Sequence, residues 1–568
     1  MNKTNIIKWL GAVLIGGTLA SCSSDYLELE PESEFTNNTV FESKDAIKLA
    51  AYGMCGNMYR QYANLYDFRW FNGEPWVSMF YGEAPGSDYI CYFWVRSHNV
   101  VVNWDIMNQH DSNAAFMAWT YCYGIIASAN NIIAGTEAED PSTLSESARF
   151  YRAHALALRA HAYTRLLQIY APRWQDSQNG EKKTIPLRLV PADTNTDAVC
   201  PLSTMGEVLA SIYKDLDEAI SIYDSVKMSR SYYWEPDGSI ARGLYARAAL
   251  LKEDWATAEK MAHDAREGYP IMSSDEYMDG FAAPNAEWMW ACDDNFSGIY
   301  YASFGATYAC NGAYPTLWGN IGAGAIDMSL YNKIDRNDVR RQLFFTPATA
   351  GVYAGKKDFY NKKNISTTSM DINRGGLAKS FDEFCNKRYN AVGASKGWYP
   401  PYANPTNGQR TGVLAQFGAQ FKFWGIDEYS SSSFPYMRGA EMLFIEAEAA
   451  CHNGNEGVAI ANLKEVNEKR YTKNYKPSTA TGEALLEEVK LNKRLELWGE
   501  GYSWFDMKRW NVDMVREPWR EGDTESGNWP ELMTIGNYDA DSHYGWRWAI
   551  PREEYQYNTA IDPSELDF

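Results

Sequence analysis

Residues 491–510 read LNKRLELWGEGYSWFDMKRW. Leu491, Leu495 and Trp498 recur at helical spacing, which predicts a helix with one core-facing stripe and with Lys493, Arg494, Glu496 and Glu500 nearer its edge. Gly499 and Gly501 interrupt that helix. Trp504, Phe505, Met507 and Trp510 then supply a second apolar face, with Asp506 and Arg509 spaced to pair. Glu496 and Glu500 lie four residues apart and could be read as the two carboxylates of a glycosidase. A general acid needs a pKa raised by burial or a like charge, whereas Arg494, Lys508 and Arg509 nearby would keep both acids ionised. The pair therefore reads as structural, and no catalytic residue is assigned.

Around this stretch lies a chain of 568 residues, beyond the size at which one hydrophobic core stops growing, so several sub-domains or a repeat-built core are expected. A formal charge of −20 argues against nucleic acid as a partner, because phosphate binding needs clustered Lys and Arg. Aromatic residues make up 15% of the chain, with 21 Trp and 39 Tyr, while mean hydropathy stays negative. Many of those rings are thus expected on loops, where Tyr and Trp act as recognition groups. The nine cysteines show no metal-ligand spacing, so neither a zinc site nor any cofactor is expected. Excepting Cys22, they leave open one or two disulfides or a set of free buried thiols.

The N-terminus carries Lys3 and Lys8, then an apolar run from Trp9 to Ala20, too short to span a bilayer, and so reads as a signal peptide over residues 1–21. Leu19-Ala20-Ser21-Cys22 resembles the lipobox of bacterial lipoproteins, which implies lipidation of Cys22. Residues 22–35 are acidic and interrupted by Pro31, as suits a solvated tether. Thr36 to Tyr62 reads as one long helix. From Tyr66 to Trp104, rings are interleaved with glycine and proline, the pattern of loops and short strands. If Ile90 to Ser97 is extended, Tyr92, Trp94 and Arg96 share one face and Cys91, Phe93 and Val95 the other, an aromatic platform beside a cation. Most of these rings taken singly are better explained as core.

Helices are expected over 114–134 and 144–169, the second ended by Pro172 and carrying Ala153, Ala157 and Ala160 at close-packing spacing. His154 and His161 read as polar residues on its face, since that spacing does not close a metal site. Ser203 to Tyr223 is amphipathic. A helix pair over 240–252 and 255–265 has Ala246, Ala249 and Ala258 where tetratricopeptide-type helices cross, and Ala447, Ala450 and Ala459 repeat the arrangement within 437–470. Between them, from about 281 to 436, Tyr300, Tyr301, Phe304, Tyr308, Tyr314 and Trp318 stand among glycines without helical period, as in a loop-built recognition surface.

The opening stretch resembles the C-terminal signature of the SusD-like (RagB/SusD) family, roughly E-R-R-x-E-L-x-x-E-G-x-R-x-x-D-L-x-R-W. Arg494, Glu496, Leu497, Glu500, Gly501, Asp506, Arg509 and Trp510 match it, while Asn492, Lys493 and Ser503 depart from it. Further matches are Arg159-Ala160-His161-Ala162-Tyr163 followed by Ile185-Pro186-Leu187, a strand in the family; Asp215, Leu216, Ala219 and Ile220; Asn285 to Trp290, also a strand in the family, whose last ring should be packed; Asp335 to Arg340, expected as an internal ion-pair turn; and Ile550 to Tyr555, after which Asn558-Thr559 replaces the usual N-P. The resemblance implies a mainly α fold of tetratricopeptide-type hairpins in a right-handed scaffold, with a large loop-rich insertion carrying short strands. The expected divisions are an N-terminal helical region over 36–280 with its aromatic loop at 66–104, the insertion at 281–436, and a C-terminal hairpin and signature region at 437–568.

The resemblance also implies a lipid-anchored protein at the outer-membrane surface that captures an oligo- or polysaccharide and delivers it to a SusC-like TonB-dependent transporter. Family sites do not sit on a motif, so the expected ligand contacts come from local pattern: Tyr92, Trp94 and Arg96 with Asp88 and Asn99, and Tyr301 and Trp318 opposite them. Two other readings are a RagB-like lipoprotein that captures peptide and a surface glycoside hydrolase.

Overall fold

The computed structural model describes residues 44–59, 73–90, 107–138, 143–191, 199–292, 324–346, 369–371, 386–387, 389–391, 393–396, 414–416, 418–424, 432–518, 527–529, 533–534 and 546–566. Ten helices of eight or more residues occur among them: α1 Lys44–Gly56, α2 Asn113–Gly135, α3 Glu146–Tyr170, α4 Met205–Ser225, α5 Gly238–Lys252, α6 Trp255–Ala265, α7 Gly439–His452, α8 Glu456–Arg470, α9 Gly482–Glu496 and α10 Ser503–Trp510. The expected helices are thus present, though the first, α1, ends at Gly56 and gives way to a turn over residues 57–59 instead of continuing to Tyr62.

Local chemistry starts most of them. Ser112, Ser145, Asp237 and Asp254 each accept a backbone N–H at the start of α2, α3, α5 and α6, and Thr204 with Glu207 closes a capping box on α4. Pro172, which lacks an N–H, follows the end of α3. The helices pack in pairs, α2 on α3, α3 on α4, α5 on α6, α7 on α8, and α6 also on α7, with α5–α6 and α7–α8 joined as tight hairpins. At the crossings Ala153, Ala157, Ala160, Ala246, Ala249, Ala258, Ala447, Ala450 and Ala459 are all 0% exposed, so backbones approach closely.

Short strands connect distant parts of the chain. They are β1 Tyr89–Ile90, β2 Lys183–Pro186, β3 Leu202–Thr204, β4 Trp288–Cys292, β5 Ala325–Ile326, β6 Phe344–Phe345, β7 Ser369–Asp371, β8 Leu414–Gln416, β9 Ala419–Gln420 and β10 Phe434–Arg438. One sheet has the order β1-β5-β9-β6, and β10-β4, β2-β3 and β7-β8 form two-stranded ladders, every pair antiparallel. Trp290 on β4 is fully buried, with its indole N–H donated to Trp234 O at 3.0 Å.

The signature stretch lies deeper than its charge pattern suggests. Lys493, Glu496 and Glu500, expected near an edge, are all buried. Glu496 and Glu500 belong to a network of four cations, Arg340, Lys422, Arg438 and Arg470, and four carboxylates, Glu287, Asp338, Glu496 and Glu500, whose side chains are at most 2% exposed. Arg438 alone reaches Glu287 at 2.6 Å, Glu496 at 3.2 Å and Glu500 at 2.7 Å. The Asp335 to Arg340 turn enters the same network through Arg340, 2.6 Å from Asp338 and 3.4 Å from Glu496. Equal numbers of each sign allow this burial, because every charge taken from water finds its opposite at contact distance.

His154 and His161 are interior rather than surface groups. His161 meets Glu74 at 3.1 Å and His154 meets Tyr223 Oη at 3.0 Å. Cys55, Cys122, Cys200, Cys292 and Cys451 are free thiols, the first two and Cys292 buried. Asn558, where the family pattern has N-P, is 2% exposed and clamps Cys200 through its backbone N–H at 3.0 Å and its carbonyl at 2.7 Å.

Candidate functional site

Tyr92, Trp94, Arg96, Asn99, Tyr301 and Trp318 lie outside the described residues, as does Cys22. The structure does define the roots from which their segments depart. β1 runs into the first of them after Ile90, and β5 is entered from the second through Gly324. Ile90 pairs with Ala325 and Tyr89 with Ile326, so the departure point of one aromatic segment and the return point of the other are antiparallel neighbours. Gly324 fits there only without a side chain, because an added Cβ would stand 1.8 Å from the Tyr89 hydroxyl.

The root is held from the signature stretch. Asp88 is 1% exposed, and its carboxylate takes two hydrogen bonds from Arg494, Nε at 2.9 Å and Nη2 at 2.5 Å. Burial works against the Arg494 charge, but Asp88 more than restores it and holds the guanidinium above its ordinary range. Asp88 O accepts the Trp498 indole N–H at 2.9 Å and the Asp327 backbone N–H at 3.1 Å. The Trp498 ring lies 5.1 Å from Tyr89 and meets Phe344 of β6 edge-on at 4.9 Å. Sequence reasoning offered Asp88 as a ligand contact; the structure commits its carboxylate to Arg494 inside the protein. In sequence Trp498 reads as a core-stripe residue and Arg494 as a signature cation near Glu496 and Glu500, and nothing local signals a partner some 400 residues away.

Behind the root, Glu83 is buried and accepts backbone N–H groups of Gly499, Gly501, Tyr502 and Ser503 at 3.1–3.4 Å. Burial and the nearby Asp88 push its carboxyl up to about 8 against the backbone donors of Gly499, Ser503 and Gly501. On the other side Asp327 accepts the Trp529 indole N–H at 3.2 Å and caps the turn Met328–Tyr331; burial raises its carboxyl to about 6. Asn528 bridges Ile326 O and the Met328 N–H, each at 3.0 Å, and Arg516 donates to Pro85 O at 2.7 Å and Gly86 O at 2.8 Å.

These acids are poor catalysts. Burial alone would raise Glu496, but Arg470, Arg438 and Arg340 hold it well below the usual carboxylate range; Arg438 and Lys422 likewise lower Glu500. Both are therefore ionised, as the sequence suggested, through cations other than those adjacent in sequence: Arg494 serves Asp88, Arg509 serves Glu448 and Asp506, and Lys508 serves backbone carbonyls. Glu83 has the raised pKa of an acid but spends its oxygens on backbone donors. Among the described residues no group of three or more His, Cys, Asp and Glu could hold a metal ion, and no helix is long and apolar enough to cross a membrane.

With this geometry in hand, comparison with known proteins gives consistent results. The family model described as SusD family matches residues 263–564, and one described as starch-binding associating with outer membrane matches residues 25–250. A SusD-like protein of Bacteroides ovatus is 23% identical over 359 residues, and the chain spans 60% of that relative's length, with 60% of this chain covered. Among solved structures, a SusD-like carbohydrate binding protein from Bacteroides vulgatus superposes with a TM-score of 0.67 at 20% identity, covering 92% of this chain and 98% of the other. A SusD-like carbohydrate binding protein from Bacteroides fragilis gives 0.62 at 15% identity, covering 92% and 100%. At such identities the superpositions speak for the fold.

Proposed function

The chain belongs to the SusD family, and on that premise we propose that it is a cell-surface glycan-binding lipoprotein. It captures oligo- or polysaccharide at the outer membrane, held there by lipid on Cys22, and delivers it to a SusC-like TonB-dependent transporter. It binds its cargo without cleaving it.

The observation that carries this reading is the pairing of Ile90 with Ala325. The segment bearing Tyr92, Trp94, Arg96 and Asn99 begins one residue past a strand whose neighbour is entered from the segment bearing Tyr301 and Trp318. Two aromatic segments with a common root suit a ligand that presents apolar C–H faces to rings and hydroxyls to polar side chains. Each hydroxyl leaves water to make its bond, so the net gain is about 1 kcal/mol apiece and affinity accumulates over several sugar units. Asp88, bound to Arg494, acts in this scheme as the anchor of the first segment.

A screen of the mature protein against a glycan array and soluble polysaccharides, followed by calorimetry, tests the proposal. Weak, saturable binding that strengthens with chain length is expected. Silence on glycans with capture of peptides would replace it with the RagB-like reading, and release of shorter sugars by pure protein would make it a hydrolase.

A further inference from the structure

The connection between α4 and α5 contains Arg230-Ser231-Tyr232-Tyr233-Trp234-Glu235, built on elements other than the β1–β5 root. Buried groups hold it. Glu235 is 1% exposed, accepts the Ser231 and Tyr232 backbone N–H groups at 2.9 and 3.1 Å, and meets His154 of α3 at 3.6 Å. Arg230 pairs with Asp237 at 3.0 Å and donates to Met289 O of β4 at 2.5 Å. β4 holds the next residues too: Tyr233 O accepts the Ala291 N–H at 3.1 Å and Trp234 O the Trp290 indole N–H at 3.0 Å. A turn fixed from so many sides keeps its side chains placed before any ligand arrives, which lowers the entropic cost of binding.

What this frame presents is a pair of stacked rings. Tyr232 lies on Trp234 with centroids 4.9 Å apart and planes 7° from parallel. Tyr52 of α1 stands edge-on to both, 4.8 Å from Trp234 and 6.2 Å from Tyr232. Because Tyr52 is nearer to Trp234, it flanks the stack and does not cover the outer face of Tyr232. Tyr232 is accordingly 50% exposed. A tyrosine laid flat on a tryptophan by buried hydrogen bonds, with its other face in water, is a shaped apolar surface and not a side chain left loose.

Unused donors border it. Among the described residues the Tyr232 hydroxyl has no hydrogen-bond partner, and Lys48, one turn before Tyr52 on α1, has no carboxylate at ion-pair distance, its ammonium lying 5.2 Å over the Tyr52 ring. An open ring face edged by free donors suits a pyranose, which offers C–H groups to the ring and hydroxyls to the rim. Two other occupants suit it less. A quaternary ammonium calls for rings set around a space, whereas these three rings touch one another. A protein partner calls for about 800 Å² a side, and of the described residues around Tyr232 only Leu49 is also large, apolar and exposed.

We propose that the outer face of Tyr232 is a second sugar-binding site, which takes one pyranose ring stacked on Tyr232 with Lys48 as a donor to its hydroxyls. The proposal rests on the glycan reading for its class of ligand, but its residues belong to neither aromatic segment. A single stacked ring binds too weakly to retain polysaccharide by itself, so the measure is saturation-transfer NMR on the mature protein with methyl glucoside, methyl galactoside and methyl mannoside. In a Trp94→Ala/Trp318→Ala variant, which removes the proposed loop face, transfer to the C–H protons of at least one of these sugars should persist. In that background it should fall about fivefold or more with Tyr232→Ala and with Tyr232→Leu, which keeps apolar bulk without a flat face, and should survive Tyr232→Phe. The half-exposed position lets these variants keep the parent's melting temperature, and if Tyr232→Ala does not fold, Tyr232→Leu decides. Loss of all transfer in the Trp94→Ala/Trp318→Ala variant would overturn this site and leave the loop face standing. Transfer there that Tyr232→Leu does not change, or a parent protein silent toward all three sugars, would overturn it as well.

Discussion

Glu496 shows at the scale of one residue how much a sequence hides. Its helical position beside Leu495 and Leu497 is legible, yet its burial is not, because the three guanidiniums that compensate it come from positions 340, 438 and 470. Charge pattern alone sends Lys493, Glu496 and Glu500 toward solvent; only contacts distant in sequence make the interior acceptable. The same reason moves His154 and His161 inside, where Tyr223 and Glu74 await them. Removing one member of such a network leaves an uncompensated buried charge, so Glu496→Gln should cost about 3–5 kcal/mol in denaturant unfolding. An exposed pair such as Lys464 and Glu468, by contrast, should be worth well under about 1 kcal/mol. Glu448 gives a prediction in pH. Burial opposes its charge, but Arg509 and Lys493 prevail and hold it at about 2, below its ordinary 4.5. Its contribution is therefore fully present above 4.5 and is lost as pH falls toward 2. Glu448→Gln should flatten the acid limb of the stability curve in that window, as followed by circular dichroism; an unchanged limb would remove Glu448 from the acid transition.

At the scale of elements, helices were readable, as were β2 and β4 through the strands the family pattern implies near 185–187 and 285–290, whereas the two-residue strands were not. Alanines recurring at helical spacing and Pro172 after α3 are local signals, and each marks an element the structure contains. β1, β5, β6 and β9 hold two residues apiece, too few for alternation to register, and their pairing joins positions distant in sequence, Tyr89 with Ile326 and Phe345 with Ala419 among them. That pairing is what brings the roots of the two aromatic segments together, so the most informative part of the site was absent from the sequence pattern. Gly324 tests it. Gly324→Ala sets a methyl against the Tyr89 ring and should separate β1 from β5. Glycan retention should drop well before the helical scaffold loses stability, since neither residue belongs to a hairpin. Gly501 is the contrasting case: it has φ +91°, and its added Cβ would meet Ser78 at 2.5 Å, inside the signature turn that binds Glu83. Gly501→Ala should therefore lower global stability by more than about 1 kcal/mol, measured by thermal unfolding.

Over the whole molecule, the network of Arg340, Lys422, Arg438, Arg470 and their four acids ties strand β10, helix α8 and the signature helix α9 to segments from the loop-rich region. Arg494 and Trp498 extend the same helix to the root of the first aromatic segment. The signature, read from sequence as purely structural, thus holds the root of the first aromatic segment through Asp88. The proposed anchor adds a prediction at this scale: Cys22→Ala should shift the protein from the membrane fraction to the soluble fraction without changing its melting temperature. The most direct test replaces Trp94 and Trp318 together by Ala and measures retention on the polysaccharide that binds the mature protein, alongside the melting temperature. The expected result is loss of retention with a melting temperature close to that of the parent. Undiminished retention, or a large fall in melting temperature that assigns these rings to the core, would contradict the proposed glycan face.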